Sequence, residues 1–151
     1  EMKTVRLFLT GAFILASIAS FCQGTTQEEY NYITKGYKVQ LESGLDMKKG
    51  YFFKELNGGK TTKGSEKRQC EFKALYRENS NKPCAILMVY KRTDISNGAE
   101  YYLCIPSVHS SDEIWDLAFK DLIAKVGNSA AMMDVTMIWG LMKCLSQSYT
   151  E

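Results

Sequence analysis

The run Cys84-Ala85-Ile86-Leu87-Met88-Val89-Tyr90 constrains this chain more than any other stretch outside its first residues. It follows Pro83 and stops at Lys91-Arg92, so it has the length of a strand and falls short of a helix. A strand with no polar alternation has to be covered on both faces, which places it inside a sheet rather than at its edge. Its sequence neighbours have the pattern that such a centre needs. From Cys70 to Arg77, Cys70, Phe72, Ala74 and Tyr76 point one way while Glu71, Lys73 and Arg77 point the other, with Leu75 alone breaking the rule. Asn79 to Pro83 turns the chain into the apolar run, and Asn97-Gly98 turns it out again, because both residues tolerate positive φ. Ala99 to Ile105 then returns as the next strand, and Tyr51 to Leu56, closed by Asn57-Gly58-Gly59, is a further candidate. The expectation is an antiparallel meander of three or four strands.

Helical patterns lie on both sides of these strands. Thr26 and Glu29 form a capping-box pair, and Tyr30, Ile33, Tyr37 and Leu41 follow at helical spacing, which predicts a helix over 27–42 with Gly44 beyond it. Ser110 and Glu113 make a second capping box. Behind it, Ile114, Trp115, Ala118, Phe119, Leu122 and Val126 form one apolar face that ends near Lys125 and Gly127. A last segment, Ala130 to Leu145, is apolar almost all round and interrupted by Asp134, Thr136 and Lys143, which reads as a buried helix; Asp134 and Lys143 are expected at its surface edge, with a buried polar site as the alternative. Strands followed by helices predict an α+β fold: an N-terminal helix, the meander, and two C-terminal helices packed on one sheet face.

Lys3 and Arg6 precede an uncharged run from Leu7 to Phe21, 15 residues long, with small residues near its end. That is the pattern of a secretory signal peptide, and it is shorter than the roughly 20 residues a spanning helix needs. Ser20 and Cys22 suit cleavage after Cys22, which divides the chain into a removed leader, 1–22, and a single α+β domain, 23–151. Lipidation of Cys22 is the weaker reading, since bulky Phe21 stands where a lipobox has a small residue. Ser20-Phe21-Cys22-Gln23 resembles the Ser-Phe-Ala-Gln ending common on exported proteins of Bacteroidetes-type bacteria; the likeness covers four residues and implies export alone. It points to a periplasmic or extracellular destination.

Composition excludes some function classes. With 45% hydrophobic and 24% charged residues the chain is of the ordinary globular kind, and a net charge of +2 argues against a nucleic-acid partner. The basic stretch Lys60 to Arg68 lacks the spacing of a phosphate-binding loop and reads as a solvated surface loop. Metal binding is disfavoured, because no Cys-x-x-Cys or Cys-x-x-His spacing occurs and His109 is the single histidine. No cofactor motif is present.

Cys70, Cys84, Cys104 and Cys144 remain after processing. In an exported chain this even set is compatible with two disulfides of unassigned connectivity, while the competing reading treats buried cysteine as a small hydrophobe. His109 stands five residues beyond Cys104 at a strand end, where an imidazole and a thiol make a conceivable nucleophilic pair. No protease signature surrounds them, and there is no Gly-x-Ser-x-Gly elbow to use Ser107, Ser110 or Ser111. Tyr101 and Tyr102 are adjacent in a strand and must face opposite ways, so at least one is expected at a surface or cleft. Tyrosine and tryptophan are enriched at interfaces. The sequence therefore favours a small exported binding domain, inhibitor- or immunity-like, that engages a protein or small ligand without catalysis. The alternatives are a hydrolase using Cys104 and His109, and a structural envelope component.

Overall fold

A computed structural model of the chain describes residues 24–36, 50–61, 68–93, 98–128 and 132–150. The expected leader 1–22, the last six residues of the expected first helix (37–42) and the middle of the basic loop lie outside the described residues. The described elements are a short helix α1 (Gln27–Asn31) continued by one π-helical turn (Tyr32–Gly36), strands β1 (Tyr51–Thr61), β2 (Arg68–Arg77), β3 (Pro83–Arg92) and β4 (Ala99–Pro106), helix α2 (Asp112–Leu122) with a π-helical extension (Ile123–Gly127), and helix α3 (Met132–Thr150). The fold is α+β. Its four strands run β1-β2-β3-β4, every neighbouring pair antiparallel.

β3 is central in burial as well as in order: from Pro83 to Tyr90 every residue is buried. Cys84 occupies an irregularity in its pairing with β2, where Leu75 pairs with Ala85 and Tyr76 with Pro83. A bulge there re-aims the strand end, and the Cys84 thiol donates to the Leu75 carbonyl at 3.3 Å. β1 extends to Thr61, beyond the Asn-Gly-Gly stop read from sequence, with a register shift between Glu55 and Lys60 that absorbs those residues. At the β3–β4 turn Gly98 takes φ +55°, the conformation its hairpin position calls for.

The two sheet faces carry different helices. Glu29 and Tyr32 of α1 and its continuation reach Tyr51, Phe53 and Arg77 on one face, with Tyr32 stacked against Tyr51 and Phe53 at 6.4 and 6.0 Å between centroids. Alternation puts Arg68 and Arg92 on the other face, where Asp134 of α3 meets both. α2 lies along β4 and also touches α3. Among the described residues, no helix is long and apolar enough to cross a membrane.

The first capping box forms as its sequence pattern predicts. The Glu29 amide donates to Thr26 Oγ1 at 3.2 Å, and the Thr26 amide donates to Glu29 Oε2 at 2.8 Å. The second does not. α2 starts one residue later, with Ser111 at the N-cap and no side-chain cap bond, because the Ser110 hydroxyl is engaged elsewhere: it accepts from the Thr25 amide at 2.9 Å. Thr25 in turn donates its hydroxyl to the Cys84 carbonyl at 2.6 Å and accepts from the Ser107 amide at 2.8 Å. The start of the described chain is thus stitched across the ends of β3 and β4. Gly24 is required for this, since a Cβ there would lie 2.4 Å from the Ser110 amide nitrogen.

Candidate binding cleft

Two of the sequence's polar interruptions in α3 have separate tasks. Asp134 and Lys143 are nine residues apart, which is two and a half turns, so they leave the helix on opposite sides. Asp134 is not at a surface edge as expected from sequence; it is 3% exposed, and it ion-pairs with Arg68 at 2.6 Å and Arg92 at 3.4 Å. A cross-strand arginine pair supplies the counter-charge that lets a carboxylate sit there. Near the other end of α3, the Ser146 hydroxyl donates to the Pro106 carbonyl at 2.7 Å. With both ends tied to the sheet, the register of Trp139 and Lys143 between them is set.

α2 is held by the line Ile114, Ala118 and Leu122, all buried, and Lys125 beyond it donates to the Tyr102 carbonyl at 2.6 Å. The apolar face read from sequence therefore divides in two. Trp115 and Phe119 lie on its flank and turn toward α3, where Trp115 meets Trp139 edge to face at 5.6 Å between centroids and Phe119 meets it at 4.9 Å. Such edge-to-face pairs contribute beyond the area they bury. Phe119 nevertheless remains 38% exposed. The three rings, with Asp112, Asp116 and Lys143, line an open cleft of about 530 Å³ between the two helices. That volume is within the range of ligand-sized pockets.

Lys143 reaches into this cleft from one turn beyond Trp139. Its Nζ lies 3.6 Å from the Trp115 ring centroid and 5.1 Å from that of Trp139, a cation seated on aromatic faces. Asp112 and Asp116 stand in the first turns of α2, where carboxylates also suit the helix dipole. α3 is not the fully buried helix expected from sequence: Met132, Met133 and Met137 are 74%, 81% and 52% exposed. Leu117 of α2 and Ile123 of its π-helical extension are exposed too.

The residues singled out from sequence lie elsewhere. Tyr101 and Tyr102 do point to opposite faces; Tyr101 stacks on Tyr90 at 6.1 Å between centroids, and the Tyr102 hydroxyl donates to Glu100. Both are half-buried. Cys70, Cys84, Cys104 and Cys144 are all free thiols, so the two-disulfide arrangement is not formed. Burial pushes the Cys70 thiol up to about 11 and, reinforced by nearby Glu29, that of Cys84 up to about 12. Burial also holds Cys104 well above the ordinary thiol value, with Cys84 and Asp121 adding to it. His109 is exposed in the turn before α2, its amide donating to Ser107 Oγ at 3.3 Å, and among the described residues no hydrogen bond joins it to Cys104. Among the described residues, no group of three or more His, Cys, Asp or Glu side chains is placed to hold a metal ion.

A second polar cluster, under α1, is sealed. Glu29, with its side chain 1% exposed, takes Arg77 through both oxygens at 2.7 and 2.9 Å and accepts from the Tyr51 hydroxyl at 3.1 Å. Arg77 also donates to the Gly24 carbonyl at 3.0 Å. Burial first, then Glu29, pushes the Tyr51 hydroxyl up to about 12. The space beside this cluster, lined by Glu28, Glu29, Tyr32 and Tyr51, has no room for a ligand. Its task is to fasten α1 to the sheet.

The cleft residues escaped the sequence reading because Trp115 and Phe119 fit the core pattern of α2. A signal was nevertheless present: Asp112/Asp116, Trp115/Phe119 and Trp139/Lys143 are each four residues apart, so each pair shares a helix face. Compared with known proteins, the chain matches no family model, no curated protein and no solved structure.

Proposed function

We propose that the chain is a small exported, non-catalytic binding domain, inhibitor- or immunity-like in kind, and that the α2–α3 cleft is its contact surface. Export rests on the leader pattern from Lys3 to Cys22, with a periplasmic or extracellular destination. In this reading α2 and α3 form a packed pair of helices braced by the sheet, and the aromatic cleft between them carries the function. A single observation supports it most: two tryptophans and a phenylalanine line an open cleft, an aromatic cluster of the kind enriched at interface centres and needless in a helix pair that only covers a core. The hydrolase alternative is weakened by Cys104, which is 1% exposed and carries a thiol that burial keeps protonated.

Capture from the exported proteome of the native host tests the reading. The immobilised protein is expected to retain a partner that Phe119→Ser and Trp139→Ala release and His109→Ala keeps. Phe119→Ser alters an exposed ring, so it keeps the comparison valid even where Trp139→Ala weakens folding. A partner indifferent to Phe119→Ser removes the cleft from the contact surface, and a hydrolytic activity lost with His109→Ala or Cys104→Ser overturns the binding-domain reading itself.

A further inference from the structure

We infer that the α2–α3 cleft accepts the cationic side chain, lysine or arginine, of a basic segment on a partner protein, and that Lys143 occupies this seat in the free domain. The inference rests on the cleft being the contact surface and adds the chemistry it selects. Lys143 shows what the rings accommodate: an ammonium 3.6 Å from one tryptophan centroid and 5.1 Å from the other. Asp112 and Asp116 line the same space, so a single lysine leaves the cleft one charge short of neutral. An incoming acidic group would meet two carboxylates, and an apolar one would bury them without a counter-charge. A cation gains from the rings directly and from the carboxylates across the cleft, beyond ion-pair distance.

Size points the same way. About 530 Å³ far exceeds an ammonium or guanidinium group, leaving space for a long side chain and the backbone that carries it. Lys143 is on the exposed side of α3, and among the described residues it meets the two rings. Swinging its flexible stem into water therefore breaks no ion pair among the described residues and opens the seat. Lys143 is a competitor built into the domain, and it lowers the apparent affinity by the fraction of molecules in which the seat is filled.

The chain has two tryptophans, Trp115 and Trp139, and both are in the cleft, so tryptophan emission, excited selectively away from the tyrosines, reports on this site. The probes are the blocked peptide Gly-Arg-Gly and its citrulline counterpart, which keeps the shape and loses the charge. The arginine peptide is expected to shift the emission while the citrulline peptide does not. Lys143→Met should tighten the arginine peptide about fivefold, the worth of one surface cation–π contact, and adding Asp112→Asn and Asp116→Asn should reverse that gain. Equal responses to the two peptides overturn the cation preference while leaving the cleft as a contact surface. Silence from both peptides, in the native chain and in Lys143→Met, overturns the inference, and an affinity unchanged by Lys143→Met overturns the competitor role. Failure of the contact-surface reading is a separate result, seen when Phe119→Ser leaves partner capture intact.

Discussion

Tyr90 ends the central apolar run, and its position shows how much a single polar atom weighs in such a core. Its ring is 1% exposed and stacks on Tyr101, yet its hydroxyl is buried with no hydrogen-bond partner among the described residues. Burial, then the negative charge of Asp134, pushes that hydroxyl up to about 12. A buried donor without a partner costs the free energy of its lost hydration, on the order of 1–3 kcal/mol. Tyr90→Phe keeps the ring and its stacking and removes only the oxygen. Most core substitutions destabilise; this one should raise the unfolding free energy by about 1 kcal/mol, read from a urea midpoint at unchanged slope. A loss of stability in Tyr90→Phe would mean that the hydroxyl is satisfied.

The ion pairs that dock the helices belong to the scale of elements. Asp134 is the point at which α3 locks onto β2 and β3; its side chain is 4% exposed, against 8% for Arg92 and 36% for Arg68. Removing the carboxylate takes away the counter-charge shared by two guanidinium groups on paired residues of neighbouring strands. Asp134→Ala should cost about 3 kcal/mol, the low end for a broken buried pair because Arg68 meets water, and it should also move tryptophan emission to longer wavelength as α3 loosens around Trp139. Asp134→Leu combined with Arg68→Met and Arg92→Met should recover most of the stability, since apolar replacement of a buried ionic cluster is often neutral. An Asp134→Ala chain as stable as the native one would show that apolar packing alone docks α3.

Element by element, the sequence was legible where local chemistry and tertiary packing agree. β3 read correctly because an unbroken apolar run has one stable environment, and Thr26/Glu29 read correctly because the bonds of a capping box are local. Ser110 read wrongly because a distant segment, Thr25, claims its hydroxyl, and nothing within α2 carries that information. Asp134 failed for the same reason: its arginines are 66 and 42 residues away. The cleft was illegible because helical periodicity separates an apolar face from a polar one, but not the buried line of Ile114, Ala118 and Leu122 from the flank of Trp115 and Phe119. That distinction depends on where α3 lies.

For the molecule as a whole, the buried thiols and phenols turn architecture into a pH dependence. Cys70 and Cys84 are held at about 11 and about 12 against an ordinary thiol value of 9.0, Cys104 is raised with them, and Tyr51 and Tyr90 stand at about 12 against 10.0. Burial is the first cause in every case. Between the unfolded and folded values the native chain keeps protons that the unfolded chain releases, so the native state binds more protons and stability falls as pH rises. The contribution is complete below pH 9 and disappears through the window from about 9 to about 12. Each group inside its window should add about 1.4 kcal/mol per pH unit to the slope. Urea midpoints measured from pH 7 to pH 11 are therefore expected to be level and then to decline steeply above pH 9. Cys84→Ala should reduce the decline between pH 10 and 11 by about one group's share, whatever it does to stability at neutral pH. The same burial governs reactivity, because the thiolate is the reacting form. At neutral pH, without reductant, alkylation of the folded chain is expected to mark Cys144, the one exposed cysteine among the four described, and to reach Cys70, Cys84 and Cys104 only in denaturant. A stability profile that stays level to pH 11, with Cys84 or Cys104 alkylated in the native state, would mean that these side chains meet water and that the centre of the sheet is open.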